Sequence, residues 1–223
     1  MKKVLTFFSL LLLCCFVTAC GAGVVVGNGY VKTQTRPLPS FDVVRVSGVF
    51  HVNIEIGKKH QATIHADENL MPYIRTFVRH KTLYITTKEG FSLRPTRDLS
   101  VDVTMKKVHA VTVSGETRLQ VDGIHAREFT LYVSGESHCG LSGTTKNLSI
   151  HASGESKVDA GTLKARDVEV GTEGLSHVIV HVERNLKISA SGKSHVQYLG
   201  RPRKMSSSIT GESKIDSIAN TAI

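Results

Sequence analysis

Tryptophan is absent from the sequence, and aromatic residues make up only 6% of its 223 residues. A conventional globule of this length usually buries several large rings, so the composition disfavours one. Apolar residues still account for 40% of the chain, which is enough to build a core. Stacked short strands can fill such a core with valine, isoleucine and leucine, and the composition therefore favours an all-β fold.

Several catalytic and cofactor-binding motifs are also missing. The sequence has no Walker loop, no Rossmann glycine fingerprint, no HExxH and no CxxC. We therefore expect no cofactor and no metal site. The formal charge is +9, but the basic residues are scattered and accompany no helix-turn-helix, zinc-finger or RNA-binding signature. Nucleic acid is not expected as a partner, whereas the charge favours acidic glycan or anionic lipid headgroups.

The first twenty residues, MKKVLTFFSLLLLCCFVTAC, have the layout of a secretory signal. Two lysines precede an apolar run that is too short for a comfortable membrane span. The ending VTAC resembles the lipobox of bacterial lipoproteins, which implies a signal peptide of residues 1–19 and a lipid anchor on Cys20; an ordinary cleaved signal is the alternative. Several acyl chains would anchor the protein to the membrane stably. Gly21 resembles the outer-membrane sorting pattern, so we predict an envelope protein, with the outer membrane favoured if the cell is Gram-negative.

Cysteine would then be almost absent from the mature chain. Cys14 and Cys15 leave with the signal peptide, Cys20 carries lipid, and only Cys139 remains. No intramolecular disulfide is available even in an oxidising compartment. Packing alone must hold the fold together.

Residues 20–38 contain several glycines and are predicted to form a flexible tether. A domain of residues 39–219 is predicted to follow. Its first part alternates apolar and polar residues on both sides of Ser47-Gly48, which indicates two strands. The stretch DENLMPYIRTFVRH predicts one helical turn, with Asp67 as a candidate N-cap.

From residue 108 onward a repeat takes over, in the variants VSGET, VSGES, ASGES, ASGKS and ITGES. Its glycine returns about every 19–20 residues, and a degenerate copy, VGTEGLSHV, fills the one wide gap and predicts a local bulge. A fixed period of this length is typical of a solenoid. With at least two short strands per repeat, it predicts a right-handed parallel β-helix of about 19–20 residues per coil, preceded by a short β-rich segment with the helical turn.

Because side chains alternate between the two faces of a strand, each repeat separates into inward and outward columns. A hydroxyl column and an apolar column that includes Cys139 share one face and are predicted to be buried. An acidic and a basic column point outward, and each relieves the repulsion within the other. The candidate binding ladder formed by these two columns consists of Glu116, Arg118, Glu136, His138, Glu155, Lys157, Lys193, His195, Glu212 and Lys214.

The order of FDVVRVSGVFHVNIEIG, ADENLMPYIRTFV, LYITT and the glycine-cornered repeats resembles the putative auto-transporter adhesin head GIN domain family. The resemblance covers roughly residues 39–219. It implies a secreted or lipid-anchored envelope protein with a β-helical fold. It carries no catalytic motif and no binding residues that could be transferred to this sequence.

An enzyme is the alternative to a binding module. Glu116, Glu136 and Glu155 would lie about one rung apart, close to the roughly 5 Å between the carboxyl groups of retaining glycosidases, but every stacked column has this spacing. Three histidines share the basic column, yet a lysine between two of them disfavours a metal ion. We therefore predict a non-catalytic module that presents polar ladders to a glycan or an envelope protein, with a polysaccharide-degrading enzyme as the alternative. The sequence does not separate adhesion from the role of an accessory protein that binds a membrane partner. It also leaves the oligomeric state open.

Overall fold

The computed structural model describes residues 23–218, so the predicted signal peptide and the lipidation site at Cys20 lie outside the described residues. The described chain is all-β, and its only helix is a 3-10 helix at Glu68–Tyr73. Its first strands are β1 (Gly23–Val26), β2 (Val31–Pro37), β3 (Val43–Gly48), β4 (His51–Ile56), β5 (Gln61–Asp67), β6 (Ile74–Arg79), β7 (Thr82–Thr87), β8 (Phe91–Arg94) and β9 (Ser100–Met105). The later strands are β10 (Ala110–Gly115), β11 (Arg118–Gly135), β12 (His138–Ala152), β13 (Lys157–Thr172), β14 (His177–Ala190), β15 (His195–Gly200), β16 (Lys204–Ile209) and β17 (Lys214–Ser217).

Successive repeats pair with one another in parallel register from β10 to β17. Gly115 faces Gly135, and Leu119 faces Cys139, which in turn faces Val158. The same register continues through β14, β15, β16 and β17. Equivalent residues of neighbouring repeats are therefore direct neighbours in space, as the repeat period predicts.

The stack begins earlier than the repeats suggest. Strand β3 pairs with β10 so that Gly48 faces Gly115, and β4 pairs with β11 so that His51 faces Arg118. The segment VSGVFHV thus forms a rung of the same kind as VSGETRL. Its corner is the Ser47-Gly48 pair that separates the two predicted strands.

The sheet at the beginning of the chain is mixed. Antiparallel pairs join β2 to β5, β5 to β9 and β6 to β7, while β3 to β7 and β4 to β9 are parallel. Strands β7 and β9 of this sheet pair with β3 and β4, which form the first rung of the stack. The parallel arrangement therefore applies to the repeats and does not extend over the whole chain.

The degenerate fourth copy causes no bulge, so that prediction is wrong. Gly171 and Thr172 face His151 and Ala152 without a register shift, and the amide of Leu175 donates to the carbonyl of Gly154 at 2.8 Å, as at the other corners. The irregularities lie at the far ends of the coils instead, for example between Ala160 and Lys164.

The segment predicted to be a flexible tether forms two strands between residues 23 and 37. Strand β1 pairs with β8, and β2 pairs along its whole length with β5. The alternating Val31, Thr33 and Thr35 explain this, since β-branched residues suit a strand and β5 offers a free edge. This alternation is short and follows a glycine-rich stretch, so it gives only a weak signal in the sequence.

Asp67 stands at the N-cap position of the 3-10 helix, as predicted, but its side chain makes no capping hydrogen bond. Its buried carboxylate accepts hydrogen bonds from the amide of Gly29 at 2.8 Å and from the amide and hydroxyl of Thr96 at 2.9 and 2.7 Å. Burial alone would raise the pKa of this carboxyl, but the hydrogen bonds from Thr96 and Gly29 outweigh it and hold the pKa below its ordinary value. The carboxylate thereby ties β1 and β2 to the loop after β8; we call this contact the Asp67 clasp.

The core runs along the inside of the stack, as the inward columns predict. The apolar column from Leu119 to Val196 is buried, and burial raises the pKa of the Cys139 thiol to about 12, which leaves it unreactive at neutral pH. The hydroxyl column is buried too, and its members donate to backbone carbonyls at the corners, for example Ser137 to Gly115 at 2.9 Å and Ser156 to Ser153 at 2.7 Å. These serines hold the corner in shape and point away from solvent.

Candidate functional site

A row of basic side chains runs along one outer face of the stack, and the strand register places one member on each rung. We call it the first basic row. Its members in order along the stack are His51, Arg118, His138, Lys157, His177, His195 and Lys214. All are exposed or half-buried. The structure thus brings the basic half of the predicted ladder together and adds His51, which sequence reasoning missed although VSG precedes it as in the repeats.

The two ends of the first basic row are held by neighbours. Nη1 of Arg118 donates to Nε2 of His51 at 3.1 Å, so Nδ1 of His51 carries the proton and faces Asp98 at 3.4 Å. At the other end His195 contacts Asp216 at 2.7 Å and stacks on His177 with ring centres 5.0 Å apart. These contacts fix the orientation of His51, Arg118, His177 and His195.

The middle of the row differs. Within residues 23–218, neither His138 nor Lys157 has a side-chain hydrogen bond or an acidic partner within 4.0 Å. Both side chains are exposed. The middle of the row therefore offers a donor and a cation that are free to bind a ligand.

A groove of about 610 Å³ lies beside this part of the row. Its other wall carries Asn53, Gln120 and Asp159, which are the outward residues two positions further along the strands. A side chain at Gly140 would collide with the amide of Gln120, so the glycine leaves room for Gln120 to lie across the groove floor. The groove thus combines cations on one wall with amide and carboxylate groups on the other.

The acidic half of the predicted ladder stands at the corner, next to the glycines. Lys193 and Glu212 form an ion pair at 3.1 Å. In the part of the chain that the structure describes, Glu116, Glu136 and Glu155 are exposed and have no cationic partner within 4.0 Å. The fourth copy places Leu175 in this column. The Lys193–Glu212 pair lies within the acidic column, between two neighbouring rungs. Within residues 23–218 no glutamate of this column pairs with a member of the first basic row, so the expected neutralisation between the two columns does not occur.

A second basic row, which was not found from the sequence, lies within the long strands β11 to β14 and directly before β16. We call it the arginine row; its members are Arg127, Lys146, Arg166, Arg184 and Arg203. Each immediately precedes a member of the paired row Glu128, Asn147, Asp167, Asn185 and Lys204. Each also lies eight residues before the next corner glycine, and counting back from that glycine would have found the row.

Two general features of the described residues bear on chemistry. No group of three or more His, Cys, Asp or Glu side chains in residues 23–218 is placed to hold a metal ion. No helix in this range is long and apolar enough to cross a membrane.

Comparison with known proteins places the chain in a family. Residues 40–202 match the family described as putative auto-transporter adhesin, head GIN domain. A search of the curated proteins found no match. Among solved structures, a putative adhesin from Bacteroides fragilis NCTC 9343 has a TM-score of 0.74 at 16% identity, covering 87% of this chain and 100% of that one.

Two further solved structures are similar to this chain. A putative adhesin from Parabacteroides merdae ATCC 43184 has a TM-score of 0.59 at 21% identity, covering 88% of this chain and 100% of its own. A putative lipid binding protein from Parabacteroides distasonis ATCC 8503 has the same TM-score and identity, covering 87% and 99%. At these identities the likeness concerns the fold alone. The family match spans more than half of the sequence, and the chain therefore belongs to the putative auto-transporter adhesin head GIN domain family.

Proposed function

We propose that the protein is a non-catalytic binding module of the cell envelope, anchored through lipid on Cys20, and that the first basic row and its groove bind a glycan. In this proposal the repeats form a right-handed parallel β-helix that carries the site away from the membrane. Membership of a family described as an adhesin head supports an envelope location. The signal-like sequence before Cys20 supports the anchor and, with Gly21, an outer-membrane location.

The observation that carries the glycan proposal is the unpaired middle of the first basic row. His138 and Lys157 are exposed, and the groove beside them presents Asn53, Gln120 and Asp159. Sugar hydroxyls both donate and accept hydrogen bonds, so they suit a wall of donors that faces a wall of amides and carboxylates. The groove is open and extends over the rungs of His51, Arg118, His138 and Lys157, which favours a linear oligosaccharide over a small enclosed ligand.

The arrangement of the carboxylates supports binding rather than catalysis. A glycosidase needs two carboxyl groups that flank one glycosidic bond, in an environment that raises the pKa of the one that acts as the acid. Glu116, Glu136 and Glu155 instead stand exposed on a corner, one per rung. The buried serine column faces away from the histidines, so these residues supply no nucleophile and base pair.

A glycan array probed with the full-length protein in detergent micelles tests the proposal. We expect retention of a set of linear glycans. In the variant Arg118→Gln/Lys157→Gln, binding of these glycans should weaken by about tenfold or more, because each lost hydrogen bond to a charged group contributes about 1.5–3 kcal/mol.

The control is Lys58→Gln/Lys59→Gln, which removes the same charge from an exposed bend between β4 and β5. It should bind like the unmodified protein. Equal weakening in both variants would mean that binding depends on the net charge of the protein and not on the first basic row. Retention of no glycan would overturn the proposal. Shortening of a bound glycan on incubation would contradict the non-catalytic part and favour the enzyme.

A further inference from the structure

We infer that the arginine row is a second, independent binding surface, and that its ligand is a linear acidic polysaccharide that binds through its carboxylate groups. The inference does not depend on the first basic row. It rests on the alignment, exposure, lack of partners and narrow shape of the five basic side chains that define the arginine row.

The strand register aligns the arginine row. The residues that follow its members pair directly from strand to strand, from Glu128 in β11 to Lys204 in β16. The amide of Arg203 donates to the carbonyl of Arg184 at 2.7 Å, which places these two one rung apart. Four rung intervals at about 4.8 Å give a line of cations about 19 Å long.

A bulge keeps the row in line. Between β13 and β14 the pair Ala165 and Val182 is followed by the pair Asp167 and Asn185, so β14 carries one extra residue. That extra residue is Glu183, and it leaves Arg184 directly before Asn185. Bulges re-aim side chains in this manner, and here the result is an uninterrupted basic line.

The cations of the arginine row form no close ion pairs within residues 23–218. All five are exposed, and within residues 23–218 the only ion-pair contact of the row is a long one, 3.8 Å from Nε of Arg166 to Asp167. Asp167 is itself hydrogen-bonded by the amide of Asn185. Two positions further along, by contrast, Lys187 pairs closely with Glu169 at 2.7 Å.

The electrostatic repulsion between members of the arginine row is therefore not relieved by ion pairs within residues 23–218, and an anionic ligand would relieve it. Like charges one strand spacing apart destabilise each other, and opposite charges brought between them remove that cost. Four of the five members are arginines, and the guanidinium group of each can bind a carboxylate in a bidentate manner. The fifth member, Lys146, stands between two of these arginines in the row. A groove of about 1010 Å³ runs beside the row, and Arg184 and Arg203 line it. The other charged residues of its lining are Lys187, Lys204, Glu128, Asp167 and Glu169.

The shape of the surface favours a polymer over a membrane. The basic line is one residue wide, and acidic residues flank it at Glu128, Glu169 and Glu183. A flat anionic bilayer would meet these acids together with the arginines. A single polysaccharide chain with one acid on each sugar can follow the line and avoid them.

The test measures binding of polygalacturonate oligomers to the full-length protein in detergent micelles at low and at moderate salt. We expect binding that weakens as salt rises, because exposed charges are screened. The fully methyl-esterified oligomer has the same backbone without the charges and should not bind. Vesicles containing phosphatidylglycerol serve as the membrane arm and should bind more weakly than the oligomer.

The variant Arg127→Gln/Arg166→Gln/Arg184→Gln should weaken oligomer binding by about tenfold or more. Its matched control, Lys58→Gln/Lys59→Gln/Lys107→Gln, loses the same charge from exposed positions outside both basic rows and should stay within about threefold of the unmodified protein. Because all six residues are exposed, neither variant should unfold at a lower denaturant concentration than the unmodified protein.

Three results would overturn the inference: equal binding of the esterified oligomer, equal loss in the two variants, or preferential binding to vesicles. The proposal for the first basic row has its own test: it fails if the variant Arg118→Gln/Lys157→Gln binds the glycan array as the unmodified protein does. The two proposals therefore fail separately.

Discussion

Replacing Gly135 by alanine is expected to destabilise the protein by about 2–5 kcal/mol. Gly135 has a φ of +84°, a conformation that costs an L-residue about 1–2 kcal/mol. A Cβ atom there would also lie 2.6 Å from the carbonyl oxygen of Gly115 on the previous rung. That oxygen accepts the amide of Glu136 and the hydroxyl of Ser137, so it cannot move without breaking both hydrogen bonds.

The matched control is Gly90→Ala. Gly90 has almost the same φ, +81°, but a Cβ atom there would meet nothing within 4 Å. Gly90→Ala should therefore lower the free energy of unfolding only by the cost of the positive φ, about 1–2 kcal/mol. Denaturant unfolding of the two variants measures the difference. Equal destabilisation would mean that the corner has room for a side chain, contrary to the close stacking of the glycines.

The second large effect concerns the Asp67 clasp. In Asp67→Asn the charge is lost and the amide nitrogen turns a donor toward the donors of Gly29 or Thr96, so we expect a loss of about 1–3 kcal/mol in the stability of the amino-terminal strands. Amide hydrogen exchange at Gly29 and Thr96 measures it. The neighbouring Glu68→Gln removes the same charge from an exposed ion pair with Lys32 and should leave this protection unchanged.

The clasp should also respond to acid. The pKa of Asp67 is lower in the folded protein than its ordinary value of about 3.9, so the unfolded chain binds the proton more readily. The stabilisation is complete above that ordinary value and is lost as pH falls through the lower, folded pKa. Exchange protection at Gly29 that persists unchanged in strong acid would contradict this role of the carboxylate.

The repeats could be interpreted from the sequence because their signals are local. The corner glycine marks each turn, and the period of two along a strand separates buried Ser137 and Cys139 from exposed Glu136 and His138. Stacking then follows, since one repeat cannot bury its apolar face alone. The basic members of the predicted ladder fell into one row for this reason.

The remaining features depend on contacts between distant parts of the chain. Strand β3 joins the stack through a pairing with β10, which is distant in sequence, and with it His51 joins the first basic row. The VSG before His51 marks this rung locally, but it stands well outside the regular repeat period. The Asp67 clasp unites residues far apart in sequence. The arginine row was hidden because the coil length varies before it, so that an alignment on the preceding glycine scatters its members.

A disulfide test addresses the central claim, that equivalent residues of successive repeats are direct neighbours in space. Arg118 faces His138, and His138 faces Lys157. One rung apart, about 4.8 Å, lies within the range that a disulfide can bridge, and two rungs, about 10 Å, does not. Buried Cys139 does not interfere because its thiol is inaccessible. The variant Arg118→Cys/His138→Cys should therefore form an intramolecular disulfide on mild oxidation and Arg118→Cys/Lys157→Cys should not; the opposite result, or equal yields, would contradict the stacked architecture and both binding rows with it.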